Sequence, residues 1–432
     1  MSRLAKLIQE LCPNGVEEKK LGDIATVSRG GNFQKKDYVE NGVPCIHYGQ
    51  IYTQYGLFVD KTISFISEEK AKKQKFAVRN DVVMAVTSEN IDDVCKCVAW
   101  LGDEAVAISG HAAIIHHTIN PKYLVYYLHS TMFYKQKIKL AHGTKVIEVT
   151  PDKLLDITLP VPPLEVQSEI VRILDNFTEL TAELTAELTA RKKQYEFYRD
   201  KLLTFDDVRE GTTSDVIWRI LGEVIVSLNT GLNPRQFFKL NTDDACNYYV
   251  TIREIQNGTI VFSDKTDKIN DEALKLCNNR SNLEVGDVLF SGTGTIGETA
   301  VISKPPTNWN IKEGVYVIKP RKDMINSRFL MYILRTDFMK AAIAKKVAGG
   351  TVKSIPMAEM RKLQIPVPSL SVQNRLANVL DNFDAICSDL NIGLPAEIEA
   401  RQKQYEFYRD ALLTYAATGK TILTDRQTDR QA

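Results

Sequence analysis

The run Gly292-Thr293-Gly294-Thr295-Ile296-Gly297 has the spacing of a phosphate-cradling glycine loop, and Phe290-Ser291-Gly292-Thr293-Gly294 resembles a methyltransferase cofactor loop. Such a loop needs a helix opening directly after it, so that the first amides meet the anionic ligand. Residues 298–303, Glu-Thr-Ala-Val-Ile-Ser, read as strand instead. The run is therefore expected to be a tight turn between strands. The corresponding stretch of the first half, Thr87-Ser88-Glu89-Asn90, holds no glycine. Gly419-Lys420-Thr421 ends like a phosphate loop, but Thr414 stands where the first glycine would be. No Asn-Pro-Pro-Tyr-like motif of amino-methyltransferases is present, since Pro162-Pro163 and Pro305-Pro306 are followed by Leu and Thr. All six histidines (47, 111, 116, 117, 129, 142) fall in the first half, and His116-His117 lies inside an apolar run that suits packing better than metal. Cys95 and Cys97 are two apart, whereas zinc and redox pairs are spaced by three. No nucleophile–base pair emerges, so the chain reads as non-catalytic.

A different chemistry is better represented. Arg29-Gly30-Gly31-Asn32-Phe33-Gln34-Lys35-Lys36 and Thr230-Gly231-Leu232-Asn233-Pro234-Arg235-Gln236 occupy equivalent places in the two halves, and Tyr48, Gln50 and Tyr52 come soon after the first. Arg, Lys, Asn and Gln are the side chains that read base edges in a DNA groove. Arg29, Asn32, Gln34, Lys35, Lys36, Tyr48, Gln50, Tyr52, Asn233, Arg235, Gln236, Arg253 and Thr293 are candidate DNA contacts on this ground. Lys145 in Gly143-Thr144-Lys145 and Lys353 in Gly350-Thr351-Val352-Lys353 join them. The bland alternative is a set of polar surface loops.

These loops need a frame, and the frame is written twice. Arg191–Phe205 and Arg401–Tyr415 match at twelve of fifteen positions, 210 residues apart. Leu159-Pro160-Val161-Pro162-Pro163-Leu164 answers Ile365-Pro366-Val367-Pro368-Ser369-Leu370; Gln167 answers Gln373; Leu174-Asp175-Asn176-Phe177 answers Leu380-Asp381-Asn382-Phe383. Leu21-Gly22-Asp23-Ile24 answers Leu221-Gly222-Glu223-Val224. Between these anchors the halves barely agree. That pattern suits one frame carrying two different readers. Asp81–Val86 and Asp287–Ser291 read as matched buried strands, and 123–140 and 329–346 as matched helices.

Residues 164–205 read as one long helix with an apolar seam at Val166, Ile170, Ile173, Phe177, Leu180 and Leu184, which is coiled-coil spacing. After a stutter at Leu188 the seam is expected to resume at Tyr195, Tyr198 and Leu202. A Leu-Thr-Ala-Glu repeat fills 180–190 and reads either as a solvated face or as a ruler, each unit worth about 6 Å of helix. In the second copy Gly393-Leu394-Pro395 predicts a break between helices near 370–391 and 395–416. The prolines before each helix read as rigid joints.

The chain has 432 residues, 44% hydrophobic and 25% charged, as in ordinary globular proteins. No apolar run reaches a membrane-spanning length of about 18 residues, and no signal-peptide core opens the chain. Seven scattered cysteines point to a reducing compartment, the cytoplasm. A net charge of +1 argues against a stand-alone nucleic-acid binder.

Taken together, the duplicated frame, the Pro-Val-Pro joint, the Gln…Leu-Asp-Asn-Phe helix start, the Arg-x-Lys-Gln-Tyr-Glu-Phe-Tyr-Arg-Asp block and the Thr-Ala-Glu-Leu repeat resemble the specificity subunit of type I restriction–modification enzymes, the repeat pointing to the IC subgroup. The resemblance covers essentially the whole chain. It implies a mixed α/β (α+β) fold with two recognition domains, separated by two long helical regions packed as an antiparallel coiled coil. The expected division is an N-terminal segment 1–15, a first recognition domain 16–162, a central helix 163–205, a linker 206–213, a second domain 214–368, a helical region 369–416 and a polar tail 417–432. Each domain would read one half of a split site in double-stranded DNA. Two methyltransferase subunits would dock on the helices, with Tyr195, Phe197, Tyr198, Tyr405, Phe407 and Tyr408 as candidate anchors, and motor–nuclease subunits would join. S-adenosylmethionine, ATP and magnesium would be bound by those partners in a prokaryotic cytoplasm, with no cofactor in this chain. A single-chain methyltransferase and a coiled-coil scaffold unrelated to DNA are the competing readings.

Overall fold

The computed structural model describes residues 2–205, 216–350, 352–388 and 393–419, so the expected linker and most of the expected tail lie outside the described residues. The chain divides into two compact units, residues 1–183 with 399–432 and residues 184–398.

In the first unit a five-stranded sheet runs in the order Ala25–Arg29, Ala112–His117, Val82–Ala85, Cys97–Trp100, Phe58–Val59, antiparallel except for the last pair. A second five-stranded sheet is ordered Tyr38–Val39, Ser64–Ile66, Val43–Ile46, Val106–Ile108, Lys75–Ala77. The run Val82-Val83-Met84-Ala85 is wholly buried because its sheet is covered on both faces. Val82 and Met84 pack under the helices Pro121–Leu128 and Thr131–Leu140, while Val83 and Ala85 face Ile46 and Ile108 of the second sheet.

The second unit repeats the plan. Its four-stranded sheet is ordered Ile225–Thr230, Val315–Pro320, Val288–Ser291, Thr299–Val301. Val288 and Phe290 pack toward the helices Ser327–Leu334 and Asp337–Ala344, and Leu289 toward Val250 and Ile311. Each expected single helix of this region is two helices, because Ser130 and Thr336 start new ones; the Ser130 hydroxyl accepts from Phe133 N at 3.3 Å.

The repeated motifs make the same contacts in both units. Leu21 N and Leu221 N donate to the Ile157 and Leu363 carbonyls, and Gly22 N and Gly222 N to those of Leu155 and Arg361. The strands flanking each unit's ends pair antiparallel, Glu18–Lys20 with Thr158–Pro160 and Ile217–Ile220 with Gln364–Val367. Gln167 donates to Pro162 O at 2.7 Å and accepts from Asn120 N at 2.8 Å; Gln373 donates to Pro368 O at 2.8 Å and accepts from Asn326 N at 2.8 Å. Each glutamine thus ties the proline joint to the start of a domain helix. Asp175 and Asp381 repeat the device, accepting from the Tyr126 and Tyr332 hydroxyls at 2.7 and 2.6 Å and pairing with Lys122 and Arg328.

The central helix is continuous from Leu164 to Thr204, and the later helices are Leu370–Ser388 and Leu394–Thr418. In the first unit Val166, Ile170 and Leu174 share a core with Leu413 and Ala416, and Phe177 stacks on Tyr408 at 5.1 Å. In the second unit Tyr195 and Leu203 share a core with Ala377, Leu380 and Cys387. The later seam differs from expectation: Tyr195, Arg199 and Leu203 are buried, whereas Tyr198 and Leu202 are exposed. Spacing by four carries the buried face one residue past the heptad position. Arg199 fills it by laying its guanidinium 5.8 Å from the Tyr195 ring centroid, and Arg409 does the same at 5.5 Å from Tyr405.

Candidate nucleic-acid interface and helix ends

In the first unit, five loop tracts converge beside the reading candidates. Arg29 Nε donates to Gly110 O at 2.8 Å and its other nitrogen pairs with Glu148 at 2.7 Å. Ile147 pairs with Ser88, Tyr52 donates its hydroxyl to Thr87 O at 2.8 Å, and Thr87 Oγ1 lies 3.1 Å from His111 Nδ1. Glycine at position 30 is a consequence of this convergence, because a Cβ there would sit on the Ser109 carbonyl oxygen; at Gly231 it would sit on that of Ile311. Arg29 therefore serves first as a brace between tracts. Asn32, Gln34, Lys35, Lys36 and Lys145 are exposed. Gln34 N donates to Asp37 at 2.8 Å, and that bond, then Lys70, holds the Asp37 carboxyl below its usual range. Tyr48 is half-buried, its ring 4.5 Å from His47 and 5.0 Å from His111.

Gln50 is a correction. It is buried, its amide donating to Ser64 Oγ at 2.7 Å and its carbonyl accepting from His47 N at 2.8 Å. It closes a capping box on the helix Tyr48–Thr53, and Glu254 does the same for Thr251 in the second unit. Tyr52, with its hydroxyl committed to Thr87 O, packs against the inter-sheet core and is likewise scaffold.

In the second unit the glycine-rich run is a loop joining the antiparallel strands Val288–Ser291 and Thr299–Val301, and no helix opens from it. That geometry lacks the helix start a dinucleotide or methyl-donor loop requires. Gly292 is demanded by packing, since a Cβ would enter the Tyr316 ring. Gly292 N donates to Gly314 O, Gly294 N to Lys353 O, and Thr293 bridges to Ser354, so this loop is wedged between the 312–314 and 348–354 tracts. Thr293 and Asn233 are half-buried; Gln236 and Lys353 are exposed. Arg253 is exposed but pairs with Asp267 at 2.9 Å. Arg235 belongs to the turn Pro234–Phe237, and its side chain lies outside the described residues. Among the described residues no cluster of three His, Cys, Asp or Glu could hold a metal, and no helix is long and apolar enough to cross a membrane.

The aromatic helix ends separate into two classes. Tyr195 and Tyr405 are 8% and 5% exposed and belong to the cores, so they leave the set of outward anchors. Their burial pushes the phenols up, Tyr405 to about 12. Phe197, Tyr198 and Tyr408 are exposed, Phe407 is half-buried, and each Phe meets its Tyr neighbour edge-on. Val372, Val379, Phe383 and Ile386 also form an exposed apolar stripe along Leu370–Ser388. Their spacing of seven, four and three is a signal that the sequence itself carries. His47 and His111 were missed as members of the first loop cluster, because only the fold brings them beside Tyr48.

The family model described as "Type I restriction modification DNA specificity domain" matches residues 13–191 and again 218–400. A putative type I restriction enzyme specificity subunit of Haemophilus influenzae, S.HindORF215P, is 30% identical over 331 residues, 73% of this chain and 77% of that protein. The EcoR124I/EcoR124II specificity subunit of Escherichia coli is 32% identical over 280 residues, 63% of this chain and 66% of that protein. A chain solved in work on complex assembly and conformational transition of the type I R-M system superposes with a TM-score of 0.58 at 18% identity, covering 94% of this chain and 98% of that one; the likeness concerns fold alone. The doubled match of the domain model, falling on the two halves that share one set of clamps, means that this chain belongs to the type I restriction–modification specificity family and is a non-catalytic, DNA specificity subunit.

Proposed function

We propose that each unit reads one half of a two-part site in double-stranded DNA, and that the helices set the unread spacer between the halves. The observation that carries this is the contrast between frame and loops. The clamps at Gln167 and Gln373, Asp175 and Asp381, and Gly22 and Gly222 make matching contacts in both units. The loops at the matching sheet ends keep a few residue types in common but otherwise differ, Thr87-Ser88-Glu89-Asn90 standing where the second unit has Gly292–Gly297. In the first unit the readers would be Asn32, Gln34, Lys35, Lys36, Tyr48 and Lys145, with Arg29 bracing them. In the second they would be Asn233, Arg235, Gln236, Arg253, Thr293 and Lys353. The Thr-Ala-Glu-Leu repeat favours the IC subtype. Two methyltransferase subunits would dock on the exposed Phe197, Tyr198 and Tyr408 and the half-buried Phe407, since aromatics often dominate interfaces. These partners, with motor–nuclease subunits, would carry S-adenosylmethionine, ATP and magnesium and supply the phosphate contacts that a net charge of +1 leaves wanting. Replacing residues 16–160 with the same region of another family member tests the reading. Mapping the methylated sites should show one half-site changed and the other kept; a change in both would overturn it.

A further inference from the structure

His47 is held from behind. It is the N-cap of Tyr48–Thr53, and its Nδ1 accepts the Gly49 N–H at 3.2 Å. A nitrogen that accepts an amide proton carries none itself, so the imidazole is neutral with its proton on Nε2. Burial, then the nearby Lys35 and His111, holds the His47 pKa below its ordinary value, consistent with that neutral form. Nε2 has no partner among the described residues, yet it is not enclosed; at His117, by contrast, both ring nitrogens are buried. His47 is thus a donor of one fixed sense, seated against the Tyr48 ring and among the exposed polar loop residues.

We infer that His47 is a specificity-determining residue of the first unit, donating Nε2–H to the N7 acceptor of a purine in the major groove. This rests on the reading that the first unit faces one half-site. In that groove N7 is an acceptor on both purines, whereas the amino groups of adenine and cytosine are donors. A lone N–H donor therefore suits an acceptor and rejects an amino group at the same place, and N7 is the acceptor that both purines present, O6 and O4 belonging to guanine and thymine alone. His111 is the adaptable neighbour, because Thr87 Oγ1 can either donate to or accept from its Nδ1.

The test uses the full chain assembled with its methyltransferase subunits. Substrates are duplexes in which each purine of the first half-site in turn is replaced by its 7-deaza analogue, which removes N7 alone. One 7-deaza position should slow methylation by the wild-type complex roughly fivefold, the worth of one hydrogen bond, and should cost the His47→Ala complex nothing further. His47→Asn keeps an acceptor for the Gly49 amide but cannot place a donor where Nε2 lies. It should behave as His47→Ala, whereas a merely structural role would be rescued by it. The inference is overturned if no 7-deaza position separates wild type from His47→Ala, or if His47→Asn restores the wild-type pattern. Methylated sites that do not divide into two halves would instead overturn the reading beneath it.

Discussion

At the scale of single residues, the repeated side chains are those that close backbone valences at joints. Gln167 and Gln373 are 1% and 0% exposed and satisfy an amide and a carbonyl that the adjacent prolines and helix starts leave open. Replacing either by Ala strands both groups and should cost about 2–3 kcal/mol. Thermal unfolding of Gln167→Ala and Gln373→Ala checks this, and equal melting to wild type would refute it. A second residue-scale effect concerns pH. His129 donates Nδ1 to Val125 O at 2.9 Å, and burial, opposed only in part by that bond, depresses its pKa to about 4. The folded state therefore binds this proton less readily than the unfolded chain. The contribution of this group is fully present above pH 6.5 and is lost as pH drops from about 6.5 toward 4, by about 3 kcal/mol. Denaturant titrations across that window should show the slope, and His129→Leu should flatten it.

Elements carry the second level. The central helix is unbroken through the Leu-Thr-Ala-Glu repeat, within which Thr181 and Thr189 donate to carbonyls four residues back and Glu187 pairs with Arg191. Adding one Leu-Thr-Ala-Glu after Glu187 lengthens the helix by about 6 Å with a turn of about 40°. The spacer between half-sites should grow by one or two base pairs of roughly 3.4 Å each, the rotation favouring one. Both half-sites should stay as they were. Methylation mapping of the insertion variant decides it, and an active complex with an unchanged spacer would sink the ruler.

At the scale of the molecule, the two duplicated blocks exchange places. The block 401–415 comes late in the sequence but packs into the first unit: Tyr405 lies 6.2 Å from Tyr126, and Asp410 accepts from Thr131 N. The block 191–205 comes after the first half but packs into the second unit, where Asp200 accepts from Asp337 N at 3.1 Å. Deleting residues 394–432 should therefore loosen the first unit and spare the second. Hydrogen exchange should quicken in Pro121–Leu128 while Ser327–Leu334 keeps its protection; equal loosening of both helices would count against this.

Legibility in the chain depends on the range of each signal. Duplication, joints, long helices and the hairpin nature of Gly292–Gly297 are local patterns of proline, apolar spacing and the residues after a glycine, and they could be read without coordinates. The continuation of the seam could not. Tyr195-x-x-Tyr198 and Tyr195-x-x-x-Arg199 are both allowed by helical geometry, and only the surface offered by the second unit chooses the arginine. Gln50 and His47 show the same limit. Both are polar residues of one helix start, and composition favoured the glutamine as a reader. Packing turned its amide inward onto Ser64 and left Nε2 of His47 without a partner among the described residues. Side-chain type is a property of sequence, whereas which polar atom remains unsatisfied is decided by all the backbone that folds around it.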